Sequence, residues 1–398
     1  MTTEPRSDRR RKLGVCSGTH ILHDGMVDML YPLLPLLAQT LGLSLSEVGL
    51  IRSANKAAMA LFQVPIGLLA ERHGERILLV AGTACAGMAY IGLGLSGSYL
   101  TIVSFLFLAG CGNAAQHPLC SAIISNAYAE GSRRGALGTY NFAGDVGKMI
   151  FASAATFCVG LGFAWNTPVL ATGAIGILAA LAILLLLPVM PLSAKEASQQ
   201  ATETTGGWGI RDKRGFTALC GIAVLDSSTR TGFLTFVAFL MIAKGVSAGW
   251  AASAPVIVFI GGMVGKLACG FLADRIGVIR TVVLTELATG IGILMMLVLP
   301  NLAAFFLLPL IGVALNGTSS VLYGTIGDLV DANRQRRAFG LFYTLGSVCG
   351  LVAPWAYGLI GDQIGIPETL GLVGILIFLT IPLCLVLRPA VAEAKAAT

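Results

Sequence analysis

Three ionisable residues of the first apolar segment, His20, Asp24 and Asp28, recur every four positions and so share one face of a helix, with His23 one step round from Asp24. A carboxylate beside an imidazole can take up and release a proton near neutral pH, because burial or a neighbouring cation readily moves either group's affinity for it. His20, His23, Asp24 and Asp28, with Asp145 further along, are therefore the proton-coupling candidates. Polar residues interrupt other apolar segments too. Arg52, Asn55 and Lys56 stand in the second, Arg52 and Lys56 again four apart. Asn113, Gln116 and His117 cluster before Pro118 in the fourth, where a proline breaks or kinks a helix. Asn141, Asp145 and Lys148 lie in the fifth, around Gly144-Asp145-Val146-Gly147-Lys148, and Asp226 and Arg230 in the seventh. Lys56, Asn113, Gln116, His117, Asn141, Lys148, Asp226 and Arg230 are the substrate-binding candidates. Among them Lys148 and Arg230 suit a carboxylate or phosphonate through charge-assisted hydrogen bonds. His20, His23, Asp24 and His117 are also ligand types for zinc, iron or manganese, which makes a metal or metallophore the alternative cargo.

Plain structural readings compete with each of these. Asp145 and Lys148 are three apart and can pair with each other. Arg52 can snorkel outward. The His/Asp face can be a satisfied network tying the first helix to its neighbours. Gly144 and Gly147 open a helix face either to a ligand or to a close partner helix. In the second half Lys266 and Glu286 are also embedded, Glu286 in a segment that faces lipid or a neighbouring helix. Five embedded bases (Arg52, Lys56, Lys148, Arg230, Lys266) match five embedded acids (Asp24, Asp28, Asp145, Asp226, Glu286), so neutral pairing is possible throughout.

The elements that position these residues follow from composition. Hydrophobic residues make up 56% of the 398 and charged residues 12%, against about 25% charged in a soluble domain. The solvent is therefore lipid. A spanning helix takes roughly 20 apolar residues, and twelve segments qualify, at 14–40, 47–70, 77–97, 100–126, 136–161, 167–189, 216–243, 250–273, 279–299, 302–326, 337–361 and 367–388. Fifty glycines suit close helix packing in lipid. No ten-residue stretch alternates with period two, which excludes an outer-membrane barrel. The basic start (Arg6, Arg9, Arg10, Arg11, Lys12) precedes a segment too long and too polar for a signal peptide, so it reads as a retained first helix.

Twenty of the 26 lysines and arginines fall on one side of this topology, which places both termini in the cytoplasm. The net charge of +6 is thus a topology signal, not a nucleic-acid footprint. The nine cysteines lie singly in the apolar segments with no Cys-x-x-Cys, so neither a disulfide framework nor a zinc site is indicated.

The chain is also duplicated. Gly67-Leu-Leu-Ala-Glu71-Arg72-His-Gly74-Glu-Arg76 recurs 203 residues later as Gly270-Phe-Leu-Ala-Asp274-Arg275-Ile-Gly277-Val-Ile-Arg280, each copy joining two apolar segments on the basic side. Gly67 and Gly270 are expected to let two helices approach closely. Glu71 and Asp274 are expected to cap helix N-termini or to pair with arginine in a releasable cytoplasmic gate. Residues 191–215 are polar and Thr-rich and read as a flexible linker, with a short interfacial helix near Trp208. The expected organisation is a cytoplasmic tail (1–13), a six-helix bundle (14–190), the linker (191–215), a second six-helix bundle (216–388) and a tail (389–398). The fold class is an all-α polytopic membrane protein of twelve helices in two pseudo-symmetric bundles.

This turn spacing and layout resemble the major facilitator superfamily over nearly the whole chain. Within it, His20-x-x-His23-Asp24, Tyr31-Pro32-Leu-Leu-Pro35 and Leu43-Ser-x-x-Glu47-Val-Gly49-Leu50 resemble the fosmidomycin-resistance group of drug exporters. The resemblance implies proton-coupled export of a small organic anion or drug by alternating access, from a monomer in the inner membrane. No Gly-x-x-x-x-Gly-Lys-[Ser/Thr] loop occurs, so the energy source is an ion gradient and no cofactor is expected. An embedded enzyme would need a nucleophile–base set or a sizeable extramembrane domain, and the longest loop is only ~25 residues once spans of that length are subtracted.

Overall fold

In hydrocarbon the backbone must satisfy its own N–H and C=O groups, and apolar segments of this length do so as helices. The computed structural model describes residues 6–128, 133–188, 209–331 and 335–396. It divides into two compact units, one of residues 1–43 and 51–204, the other of 44–50 and 205–398.

The first unit contains α1 (Arg6–Asp28), α2 (Leu30–Leu41), α3 (Leu45–His73), α4 (Glu75–Gly94), α5 (Tyr99–Asn113), α6 (Gln116–Ala127), α7 (Arg133–Gly160) and α8 (Asn166–Leu186). Two of its rods are interrupted where proline dictates. Pro32 has no N–H for the carbonyl four residues back, at Asp28, and the chain breaks between α1 and α2 at Met29. Pro118 does the same to Ala114, and the break between α5 and α6 falls at Ala114–Ala115, as the sequence predicts. The second unit contains α9 (Lys213–Ala243), the short α10 (Ala248–Ala251), α11 (Ser253–Ile276), α12 (Val278–Val298), α13 (Asn301–Leu329), α14 (Gln335–Ile364), α15 (Ile366–Leu376), a 3₁₀ turn (Ile377–Leu379) and α16 (Thr380–Ala396).

Among the described residues ten helical spans are long and apolar enough to cross a membrane. The two rods outside that set, α3 and α9, are those into which Arg52, Asn55 and Lys56, or Asp226 and Arg230, have been placed. Polarity at mid-helix costs them hydropathy. All nine cysteines are free.

Small residues set the packing distances within each unit. A Cβ on Gly147 would meet the backbone of Ile21, so α7 rides directly on α1. In the second unit Gly261 and Gly265 seat α11 against the carbonyls of Pro309 and Val313 in α13. Each pair buries helix backbone against helix backbone, the contact that lipid, as apolar as leucine, does not itself drive.

Several boundaries move. The first helix begins at Arg6 rather than near residue 14, with Asp8 in its first turn, where a carboxylate complements the helix dipole. The last helix runs through Pro389 to Ala396. Asp212 caps α9, its Oδ1 accepting from Arg214 N at 2.9 Å, so that helix starts at Lys213. The end of the expected linker is held too. Ile210 bridges Val330 antiparallel, and Arg211 Nε donates to Asp331 Oδ1 at 3.0 Å. The interfacial helix expected near Trp208 lies outside the described residues.

The repeated turn works differently from the expectation. No atom lies within 4 Å of a Cβ built on Gly67 or Gly270, so neither is a point of close approach. The glycine that matters is the later one of each copy: Gly74 has φ 82° and ψ 146°, Gly277 φ 90° and ψ 154°. A backbone with φ this positive excludes a Cβ, and it turns the chain between consecutive helices in both copies. Arg72, Asp274, Arg275 and Arg280 are exposed and form no ion pair among the described residues, while the Glu71 side chain lies outside them. Arg76 caps a helix C-terminus instead, donating to the Leu184 carbonyl, and Arg11 donates to Leu185 O at 3.2 Å.

The α1–α7 contact carries a direct test. Gly147→Leu wedges the two backbones apart at a cost of about 1–3 kcal/mol. It should lower the thermal unfolding temperature in detergent, whereas Gly18→Ala, with nothing within 4 Å, should not.

Candidate functional site

In the first unit the face of α1 bearing His20, Asp24 and Asp28 looks at Lys148 of α7. The Lys148 ammonium stands 3.3 Å from Asp24 Oδ2, 3.5 Å from Asp145 Oδ1 and 3.9 Å from Asp28 Oδ2. The expected Asp145–Lys148 pair forms, but as one part of a cluster in which a single cation serves three carboxylates. Asp28 has a second partner: Arg52 Nη2 lies 2.6 Å from its Oδ1, and Arg52 Nη1 donates to Val27 O at 2.9 Å. The guanidinium also lies over the Tyr31 ring at 3.9 Å. Arg52 is 3% exposed, so it does not snorkel; a carboxylate and an aromatic face inside the unit offer it more than the interface does.

His20 is fixed by α7. Its Nδ1 lies 2.8 Å from the Tyr140 carbonyl, its ring stacks on Tyr140 with centroids 4.2 Å apart, and Gly144 leaves the space the ring fills. Gly144 thus serves a partner side chain and Gly147 a partner backbone. Because a carbonyl only accepts, Nδ1 must carry the hydrogen of a neutral ring, and Nε2 is left with a lone pair. That nitrogen faces Asp24 Oδ2 at 3.3 Å. Two acceptors so placed need a proton between them, on the imidazole or on the carboxyl. His117 closes the other side, with Nε2 3.5 Å from Asp24 Oδ1 and its ring edge-on to His20 at 5.0 Å.

The remaining candidates scatter. His23 is 2% exposed and turns away to Thr83 of α4, Nε2 to Oγ1 3.0 Å, so it is not part of the Asp24 cluster. Lys56 is half-buried and, contrary to the expectation that it meets Asp24 or Asp28, makes no ion pair among the described residues. Gln116 donates to the Tyr140 hydroxyl at 2.7 Å, and Asn113 is 1% exposed beside His23. Asn141 is exposed.

One donor atom from each of His20, Asp24 and His117 falls within 4.8 Å of the others, so the metal reading has geometric content. The donor set fits a dication poorly. His23 is missing from it, and the Lys148 ammonium already stands on the Asp24 carboxylate, where it would repel a second positive charge. A proton meets no such obstacle.

The second unit is sparser. Asp226 Oδ2 pairs with Arg230 Nη1 at 3.6 Å on α9, and Arg230 Nη2 donates to Ser227 at 3.2 Å. These residues line a cleft completed by Ser319, Tyr323 and Phe342. Sequence reasoning underrated Glu286 of α12. It is 1% exposed, in the interior of its unit rather than facing lipid. The usable signal was its setting among Thr281, Thr285 and Thr289, a polar stripe at helical spacing.

Comparison with known proteins agrees with this layout. The family model described as Major Facilitator Superfamily matches residues 16–302 and again 219–398. A hexuronate transporter of Bacillus subtilis is 24% identical over 352 residues, 83% of each chain. A gentisate transporter of Corynebacterium glutamicum is 28% identical over 130 residues, 32% of this chain and 29% of that one. Among solved structures, a bacterial homologue of the human lysosomal transporter Spinster superposes with a TM-score of 0.76 at 18% identity, covering 99% of this chain and 98% of that one.

The buried pair at the edge of the cluster predicts a stability signature. Arg52→Ala leaves Asp28 with only the more distant Lys148 ammonium, at 3.9 Å, and breaking one partner of a buried pair costs up to about 3–5 kcal/mol. Thermal unfolding of the purified protein should drop sharply for Arg52→Ala and recover in part in the double variant Arg52→Ala/Asp28→Ala.

Proposed function

The chain belongs to the Major Facilitator Superfamily, and from that premise we propose that it is a secondary transporter moving a small organic anion together with a proton by alternating access. It is a multi-pass membrane transporter, not an enzyme. The observation that carries the anion is Lys56. A half-buried ammonium that forms no ion pair among the described residues, on a membrane helix and close to a charge cluster, gains most from a cargo that brings a negative charge to it.

The charge count supplies the coupling. Asp24, Asp28 and Asp145 balance Arg52, Lys56 and Lys148 when both histidines are neutral, so the empty site is neutral. An anion alone would leave it at −1 in a medium of low dielectric; one proton on the His20–Asp24 dyad restores neutrality. Protonation of Asp24 also loosens its hold on Lys148, which becomes available to a carboxylate. Each ligand therefore favours the other, and this mutual preference is reciprocal by linkage. Ligands that favour each other travel together. This supports symport over the export by exchange that the resemblance to the fosmidomycin-resistance group implied. The relatives named for hexuronate and gentisate support a carboxylate as cargo. The basic loops support placement in the plasma membrane with both termini cytoplasmic.

The test is flux in proteoliposomes under an imposed pH gradient, with a hexuronate, gentisate and fosmidomycin as cargo. Proton influx should drive accumulation of a carboxylate. Asp24→Asn should abolish gradient-driven accumulation while sparing exchange of the same anion. Lys56→Gln should raise the KM by roughly 10–100-fold, the worth of a hydrogen bond to a charged group at about 1.5–3 kcal/mol. Anion moving against the proton would restore the exporter reading, and full accumulation by Asp24→Asn would remove Asp24 as the coupling residue.

A further inference from the structure

Glu286 is a carboxyl in an interior that gives it no counter-ion of its own. It is 1% exposed, and among the described residues its Oε1 has no hydrogen-bond partner; nor has the hydroxyl of Thr289, three residues on. The helices packed against α12 bring few charges to it. Among the described residues Asp226 and Arg230 of α9 act on it, Cys384 of α16 lies in its range, and Lys266 (α11), Glu368 (α15) and Arg388 (α16) do not enter its surroundings. Arg230 is already paired with Asp226 at 3.6 Å, so two acids stand around one base. An ionised carboxylate left over in such a place would cost several kcal/mol, far more than holding a proton does.

We propose that Glu286 is a second proton-binding site of this transporter, a carboxyl that holds a proton while Asp226 stays ionised against Arg230 and that releases it during the cycle. The site lies wholly in the second unit, apart from the His20–Asp24 dyad. It goes beyond the proton-coupled reading above and rests on it only for the second of the two measurements that follow.

The first measurement is infrared difference spectroscopy of the purified protein as pH is raised, which involves no transport. Wild type should show the C=O stretch of a protonated carboxyl at neutral pH that is missing from Glu286→Gln, and the band should vanish in alkali. In Asp226→Asn, where the like charge is gone, the loss should shift to lower pH. A wild type without that band, or a band unmoved by Asp226→Asn, overturns the proposal. The second is the number of protons moved per anion in proteoliposomes. Glu286→Gln, the size of the protonated acid, should keep anion exchange and move one proton fewer per anion than wild type. An unchanged ratio overturns the carrier role, whatever Asp24→Asn does.

Discussion

A charge in hydrocarbon must find its opposite, and in the first unit that requirement centres on Lys148. One ammonium gathers Asp24, Asp28 and Asp145 at 3.3–3.9 Å. It can do so only because α7 lies directly against α1, and glycines at 144 and 147, flanking Asp145 and just before Lys148, allow that approach. Packing and electrostatics share one seam here. The residues that let the backbones touch are neighbours of the residues that carry the charge, so a change in either is felt by both.

Function follows from what that seam leaves unresolved. The Tyr140 carbonyl dictates which nitrogen of His20 carries its hydrogen, and this leaves an acceptor facing an acceptor across 3.3 Å. A single proton resolves the conflict. Nearby, Lys56 has a charge without an answer among the described residues. The proposal of a proton and an anion carried together rests on these two features. In the second unit a fully buried acid beside a satisfied pair raises the same question with a different geometry.

The duplicated turn illustrates how a motif can be right for a different reason. Its arginines and acids look like a latch, yet the common feature of the two copies is a glycine with φ of 82° or 90° that redirects the chain between helices. The spacing recurs because the same backbone turn recurs. The charge on either side of it follows the cytoplasmic bias of basic loops.

How much of this was legible beforehand divides along physical lines. Helix content, the number of apolar segments, the duplication and the proline break at Ala114–Ala115 depend on local pattern, which a linear chain displays; the break at Met29, inside a segment read as one span, was missed. The family likewise was readable from a repeated turn. The spacing of His20, Asp24 and Asp28 also identified a helix face rightly. Which partners that face meets is a matter of helix rotation and of contacts between residues over a hundred positions apart, such as Asp24 with Lys148 or His20 with Tyr140. The sequence could not say that His23 would turn to Thr83 or that Arg52 would stay inside, whereas the burial of Glu286 had a signal in the threonines around it. Composition and periodicity determined that this is a duplicated helical membrane protein, and the resemblance of its repeated turn to a known family added that it is a transporter. Only the tertiary structure decided which of its charges are satisfied, because satisfaction is a distance between side chains and the chain's order does not contain it.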